Sequence, residues 1–269
     1  MSDVQSRIRF ADVVGLEVEF YRRAIRCLLG GFSKTLSVAR TQAPVFEAGH
    51  PRVDFQEDFC PPDGSLAVAE GRDIAPTVNE LLSLPSFAIR IATQDWHPAG
   101  HISFASNHTP PKQPFVDSTT VVNPHNPSET YETRLWPVHC VQGSKGAELV
   151  PELHEGKVDV VIKKGTDPRV EMYSAFYDPF TNPRVSDSGL VQRLKDKAVT
   201  HVYVVGLAFD YCVRSTAADA TKEGFVTYVV EEGTRAVDAT GWEKCKVGLE
   251  LDGVKVVNMS GEEVGRLRG

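Results

Sequence analysis

The chain has 269 residues, 41% of them hydrophobic and 24% charged, which suffices for one large α/β domain with a substantial core and leaves little room for a second. Its net charge of −7 argues against a nucleic-acid surface, which needs clustered Lys and Arg, and favours a small-molecule partner. The five cysteines, at 27, 60, 140, 212 and 245, are odd in number and widely spread, as expected for free thiols in a reducing compartment.

The first fifty residues differ from the rest. From Tyr21 to Arg40 the chain carries Arg22, Arg23, Arg26, Lys34 and Arg40 with no acid, as a mitochondrial presequence would. The twenty residues before it hold Asp3, Asp12, Glu17 and Glu19, so an appended helix or loosely tied segment is the preferred reading and mitochondrial targeting the alternative. Residues 1–44 are assigned as an N-terminal extension without an assigned structure or as a gene-model artefact, and 45–269 as the working domain. No apolar run approaches the roughly 20 residues that cross a bilayer, and no secretory signal is evident, so a cytoplasmic protein without a membrane partner is expected.

Beyond residue 50, short Val/Ile-rich runs alternate with amphipathic stretches. "FAIRIAT" (87–93) reads as a buried strand. It is followed by "QDWHPAGHISF" (94–104), which places an Asp and two His at a strand tip. The segment from Ser106 to Arg134 holds five prolines and no clear period, and is expected to be a long functional loop. "VDVVIKK" (158–164), "HVYVVGLA" (201–208), "FVTYVV" (225–230) and "VKVVNM" (254–259) read as further strands. "SDSGLVQRLKDKA" (186–198) and "CVRSTAADATKEGF" (212–225) read as helices between them. The pattern predicts an α/β fold of three layers, α/β/α, around a mainly parallel sheet, with ligands beyond the carboxyl ends of its strands.

The chemically distinctive residues gather at that edge. Asp95 and His97 follow one strand, Lys164 ends another, and Cys212 opens a helix after a third. Each has a plainer reading: a turn cap for Asp95, a solvated strand end for Lys164, a small buried hydrophobe for Cys212. Successive strand residues face opposite sides, so only one of Lys163 and Lys164 can point toward Cys212. A helix start and a nearby lysine are expected to lower the thiol pKa, and "GLAFDYC" has the small residues that let backbone amides face an oxyanion. Asp95 and His97 at alternate positions, joined by His139 of "LWPVHC", would make a facial set of N and O ligands, with His101 as a fourth ligand or an outer partner. Such a mixed set suits zinc and also admits iron or manganese.

Five ordered stretches carry a resemblance: "VDFQEDFCPPDGSLAV" (53–68), "QDWHPAGHISF", "LWPVHCVQGSKGAEL" (135–149), "KGTDPRVEMYSAF" (164–176) and "VVGLAFDYCVRSTAADA" (204–220). Together, from about Val53 to Val257, they resemble the nicotinamidases of the isochorismatase-like cysteine hydrolases. The resemblance implies a triad of Asp54, Lys164 and Cys212, a divalent metal on Asp95, His97 and His139, and a cis peptide before Ala208 that lets the amides of Ala208 and Cys212 form an oxyanion hole. It further implies hydrolysis of nicotinamide in NAD salvage, with Phe59, Trp136 and Tyr173 walling the ring. The alternatives are another small-amide hydrolase of the superfamily, which would not need the metal set, and a non-catalytic binding relative, which would be expected to lose a triad member. A homo-oligomer is allowed by this reading.

The lead into the first motif, "APVFEAGHPRV" (43–53), departs from the family pattern. Glu47, Gly49, His50 and Pro51 are poor material for a buried central strand. The expectation is either a short, irregular first strand or a sequence whose first fifty residues replace the native start.

Overall fold

The computed structural model describes residues 48–269. The presequence-like segment and the proposed extension at 1–44 lie outside the described residues.

Six strands form one parallel sheet: β1 (Ala48–Val53), β2 (Phe87–Asp95), β5 (Val160–Lys164), β6 (His201–Leu207), β7 (Val226–Arg235) and β8 (Lys255–Val257), in the order β5-β2-β1-β6-β7-β8. All five neighbouring pairs are parallel. The continuous apolar runs follow from burial on both faces. In β6, Tyr203, Val205 and Leu207 pack with Val78, Leu81 and Leu82 of helix α1 (Ala75–Ser83). The intervening Val202 and Val204 join Leu190 and Leu194 of α2 (Leu190–Asp196), Ala217 and Ala220 of α3 (Arg214–Lys222) and Leu249 of α4 (Trp242–Leu251). The result is the three-layer α/β/α arrangement expected from the sequence.

The irregular lead does become the central strand. Its pairing with β2 shifts register between Ala48 and Gly49, and its pairing with β6 passes from Gly49↔Val202 to Arg52↔Val205. Pro51 sits in that interval and has no N–H for a ladder. Six residues with this flaw hold the centre because β2 and β6 flank the strand on both sides.

The Ser106–Arg134 segment corrects the expectation of a loop. It contains an antiparallel arm of β3 (Ser118–Asn123) and β4 (Asn126–Arg134), separate from the main sheet. Its strands are polar on their outer face, so they lack the apolar signal of the core strands. Val121, 0% exposed, packs with Val170 and Phe180.

Candidate active site

Adjacent strands of a parallel sheet end together, and here β1, β2, β5 and β6 end at one edge and deliver four chemically active residues. Asp54 directly follows β1 with φ +46°. Its N–H donates to Thr93 Oγ1 at 3.0 Å, and the Thr93 hydroxyl donates to Asp54 Oδ1 at 2.7 Å. Asp54 Oδ2 meets the Lys164 ammonium at 2.8 Å. Lys164 ends β5 opposite Asp95, which ends β2, and their Nζ and Oδ1 are 2.5 Å apart. The same ammonium donates to Met172 O at 3.2 Å and lies 3.6 Å from Cys212 Sγ. Lys163, one residue earlier, lies on the other side over the Trp96 ring, so the strand register turns Lys164 and not Lys163 toward Cys212.

All four groups are buried. Burial alone would neutralise Lys164, but the carboxylates of Asp54 and Asp95 hold its pKa well above the ordinary lysine value. For Asp95, burial opposes ionisation, yet the charge of Lys164 prevails and lowers its pKa. Asp54 goes the other way. Burial and the nearby negative charge of Asp95 raise it to about 6, against the pull of Lys164. The thiol corrects the sequence expectation. Burial pushes Cys212 well above an ordinary cysteine, and the opposing charge of Lys164 does not overcome it. The resting site therefore holds a thiol beside a carboxyl group that titrates near neutrality, not a standing thiolate.

Cys212 sits in a π-helical turn, Phe209–Val213, that runs directly into α3. The peptide between Leu207 and Ala208 is cis. Gly206, with φ +115°, lets this turn start close to β1, since a Cβ there would lie 1.9 Å from the Val53 carbonyl oxygen.

Beside Asp54, Lys164 and Cys212, potential ligand atoms of Asp95, His97 and His139 all lie within 4.8 Å of one another. His97 Nδ1 is 2.8 Å from Gly165 O and His139 Nδ1 is 2.8 Å from Pro137 O. A carbonyl only accepts, so both Nδ1 atoms carry the proton and both Nε2 lone pairs are free to bind. Gly165 makes the first contact possible, because a Cβ there would lie 2.4 Å from the His97 ring. His97 Nε2 is buried without a hydrogen-bond partner among the described residues, 3.6 Å from Asp95 Oδ2. Burying such a nitrogen is unfavourable unless something binds it, and two imidazoles plus a carboxylate fit a divalent ion. His101 is not free to be a fourth ligand. Its Nε2 faces Val170 O at 3.1 Å and its Nδ1 faces Ser103 Oγ at 2.7 Å, leaving the ring to pack against His97 at 4.0 Å between centroids.

Phe59, Trp136 and Tyr173 line one cleft with Asp95, His139, Ala208 and Cys212. Four further lining residues, Leu66, Glu171, Tyr211 and Val237, are not among the candidates the sequence offers. Tyr211 directly precedes Cys212 and Glu171 follows Lys164 by seven residues, but neither shows a period or a motif of its own. Gln56 is a fifth omission. Its Oε1 accepts the Asp95 N–H at 2.7 Å and its Nε2 donates to Asp95 O at 2.9 Å, fixing the backbone of Asp95 from the next strand.

Residues 52–260 match the family model of the isochorismatase domain. The chain belongs to the isochorismatase family. Within that family it is 42% identical over 189 residues to the nicotinamidase of Acinetobacter baylyi, spanning 70% of this chain and 81% of that one. The structure of the yeast nicotinamidase Pnc1p bound to the inhibitor nicotinaldehyde is 32% identical, with a TM-score of 0.73, and covers 78% of this chain and 99% of its own. That of the Pyrococcus horikoshii pyrazinamidase in complex with zinc is 33% identical, with a TM-score of 0.60, over 78% of this chain and 98% of its own. The six-stranded parallel sheet with flanking helices is the fold of these isochorismatase-like relatives.

Proposed function

We propose that this chain is a nicotinamidase, a hydrolase of the amide C–N bond that converts nicotinamide and water to nicotinate and ammonia. One observation carries the reading: Lys164 Nζ stands 2.8 Å from Asp54 Oδ2 and 3.6 Å from the Sγ of Cys212, which lines an aromatic cleft together with Asp95 and His139 of the Asp95, His97 and His139 set. The names of its relatives in the same family support the substrate.

In this mechanism Asp54 accepts the proton of the Cys212 thiol as the sulfur attacks the carboxamide carbon, and the Lys164 ammonium steadies the anions formed. The amides of Ala208 and Cys212 receive the oxyanion. As the tetrahedral adduct collapses, the C–N bond breaks, Asp54 returns the proton to the departing nitrogen, and ammonia leaves a nicotinoyl thioester on Cys212. Water then attacks the thioester carbonyl with Asp54 taking its proton, nicotinate departs, and the sulfur is reprotonated. A pKa for Asp54 near 6 suits a group that must both take and return a proton close to neutrality. Asp95, His97 and His139 would hold one divalent ion, zinc first and iron or manganese as alternatives, and when bound it would supply an electrophile for the pyridine nitrogen that orients the ring. Phe59, Trp136 and Tyr173 would wall that ring.

The proposed setting is NAD salvage in the cytoplasm, with residues 45–269 as the catalytic domain. No helix among the described residues is long and apolar enough to cross a membrane. The test is ammonia release by the purified full-length protein from nicotinamide and from benzamide, which lacks the ring nitrogen. Nicotinamide should be the far better substrate. Equal rates would remove the argument for a metal-bound pyridine, and no release from nicotinamide would reject the reading.

A further inference from the structure

The arm formed by β3 and β4 has no part in the chemistry above, yet it holds the segment that shapes the cleft. Alternate residues of β4 turn inward, as a strand requires, and each grips residues between 171 and 182. The Glu129 carboxylate accepts from the N–H of Thr181 at 2.8 Å and from that of Asn182 at 3.1 Å. The Tyr131 hydroxyl donates to Glu171 O and accepts from Glu171 N–H, both at 2.8 Å, satisfying the whole backbone of one cleft residue. Thr133 Oγ1 lies 3.0 Å from the Tyr173 hydroxyl, which also accepts from Trp136 Nε1 at 3.0 Å. With the indole N–H donating to the tyrosine oxygen, the tyrosine's own proton is free to go to Thr133. Thr133 and Trp136 are 4% and 3% exposed, so water has little chance to replace either bond.

We infer that Thr133 and Tyr131 are positioning residues for substrate binding. From the arm, they fix the edges of the Trp136 and Tyr173 rings and the peptide of Glu171, and so set the width of the slot that receives a planar ring. The inference rests on the nicotinamidase reading for its substrate. The arm fixes where the ring sits, not how the thiol reacts, so its loss belongs in KM.

The experiment compares wild type with Thr133→Val, Thr133→Ser, Tyr131→Phe, Tyr173→Phe and the Thr133→Val/Tyr173→Phe double variant. It measures KM and kcat for nicotinamide and the rate of Cys212 alkylation by iodoacetamide. Thr133→Val should raise KM about tenfold, the effect of one buried hydrogen bond left half made, with kcat and alkylation within about twofold of wild type. Tyr131→Phe should raise KM similarly, and Thr133→Ser should restore wild-type values. Tyr173→Phe removes the same bond from its other end, so the double variant should be no worse than the poorer single one. Wild-type turnover of nicotinamide checks the underlying reading separately. Given that turnover, an unchanged KM in Thr133→Val overturns the inference. A serine variant as impaired as the valine one, or additive effects in the double variant, also overturns it. If Thr133→Val fails to fold, Tyr131→Phe and Tyr173→Phe still decide, since an unchanged KM in both is contrary to it.

Discussion

The ammonium of Lys164 and the carboxylate of Asp54 stand 2.8 Å apart, and neither side chain is exposed. Such a pair is held by mutual attraction against a large desolvation cost, so removing one member strands the other. Lys164→Met should destabilise the fold by roughly 3–5 kcal/mol. It should also push the Cys212 thiol still higher, because Lys164 is what opposes the burial, and slow alkylation of that thiol near neutral pH. Lys163→Met, on the opposite face over Trp96, should leave the pH profile of labelling unchanged. A shift for Lys163→Met alone would contradict the strand register.

The raised pKa of Asp54 gives a pH dependence with a definite sign. As a base it works only when deprotonated, so kcat/KM should climb as pH rises through about 6. Its folded pKa lies above the ordinary aspartate value of 3.8, so the folded state holds this proton more tightly than the unfolded chain. Its contribution to stability is therefore full below that ordinary value and lost as pH rises through about 6, on the order of 3 kcal/mol. Asp54→Asn should abolish turnover and remove this part of the pH dependence of unfolding, which denaturant titrations at pH 4 and pH 7 would measure. An unaltered acid limb of activity in a still-active Asp54→Asn would reject its role as the base.

For the metal set, His97→Ala or His139→Ala should strip most of the bound ion and raise the nicotinamide KM. His101→Phe should cost at most about 10-fold in metal affinity, the low end for an outer partner, since both nitrogens of His101 already face Val170 and Ser103. Metal analysis of the purified variants checks this. Full occupancy in His97→Ala would rule out the proposed ligand set.

Gly206→Ala would drive a methyl group into the Val53 carbonyl at a backbone φ of +115°. It should lower stability by roughly 3 kcal/mol or more, seen as a lower melting temperature, and reduce activity as the turn carrying Cys212 shifts. Wild-type stability in this variant would show that β1 and β6 are less closely locked than their contact implies.

What the sequence made legible was whatever repeats with a period or stands at a strand end. "FAIRIAT" and "HVYVVGLA" are apolar on both faces because helices cover both, and Asp95, Lys164 and Cys212 stand out where those runs stop. The arm escaped because a strand such as β4, with Thr130, Glu132 and Arg134 facing solvent and Glu129, Tyr131 and Thr133 facing a polar seam, has no apolar side to read. Strand β1 looked implausible because its place is held by its neighbours rather than by its own residues. The direction of the thiol pKa is not legible in the sequence for a related reason. The lysine was visible in the sequence, but the full burial that outweighs it is a property of the assembled site.

The most direct measurement is ammonia release from nicotinamide by wild type and by Cys212→Ala, with Cys60→Ala, Cys140→Ala and Cys245→Ala as controls. Cys212→Ala should lose turnover entirely while melting as a folded protein, because no thioester can form without sulfur at that position. The three controls, none of which lines the cleft, should keep most of their activity. Ammonia release by Cys212→Ala at the wild-type rate, or equal inactivation at Cys245, would contradict the assignment of the nucleophile.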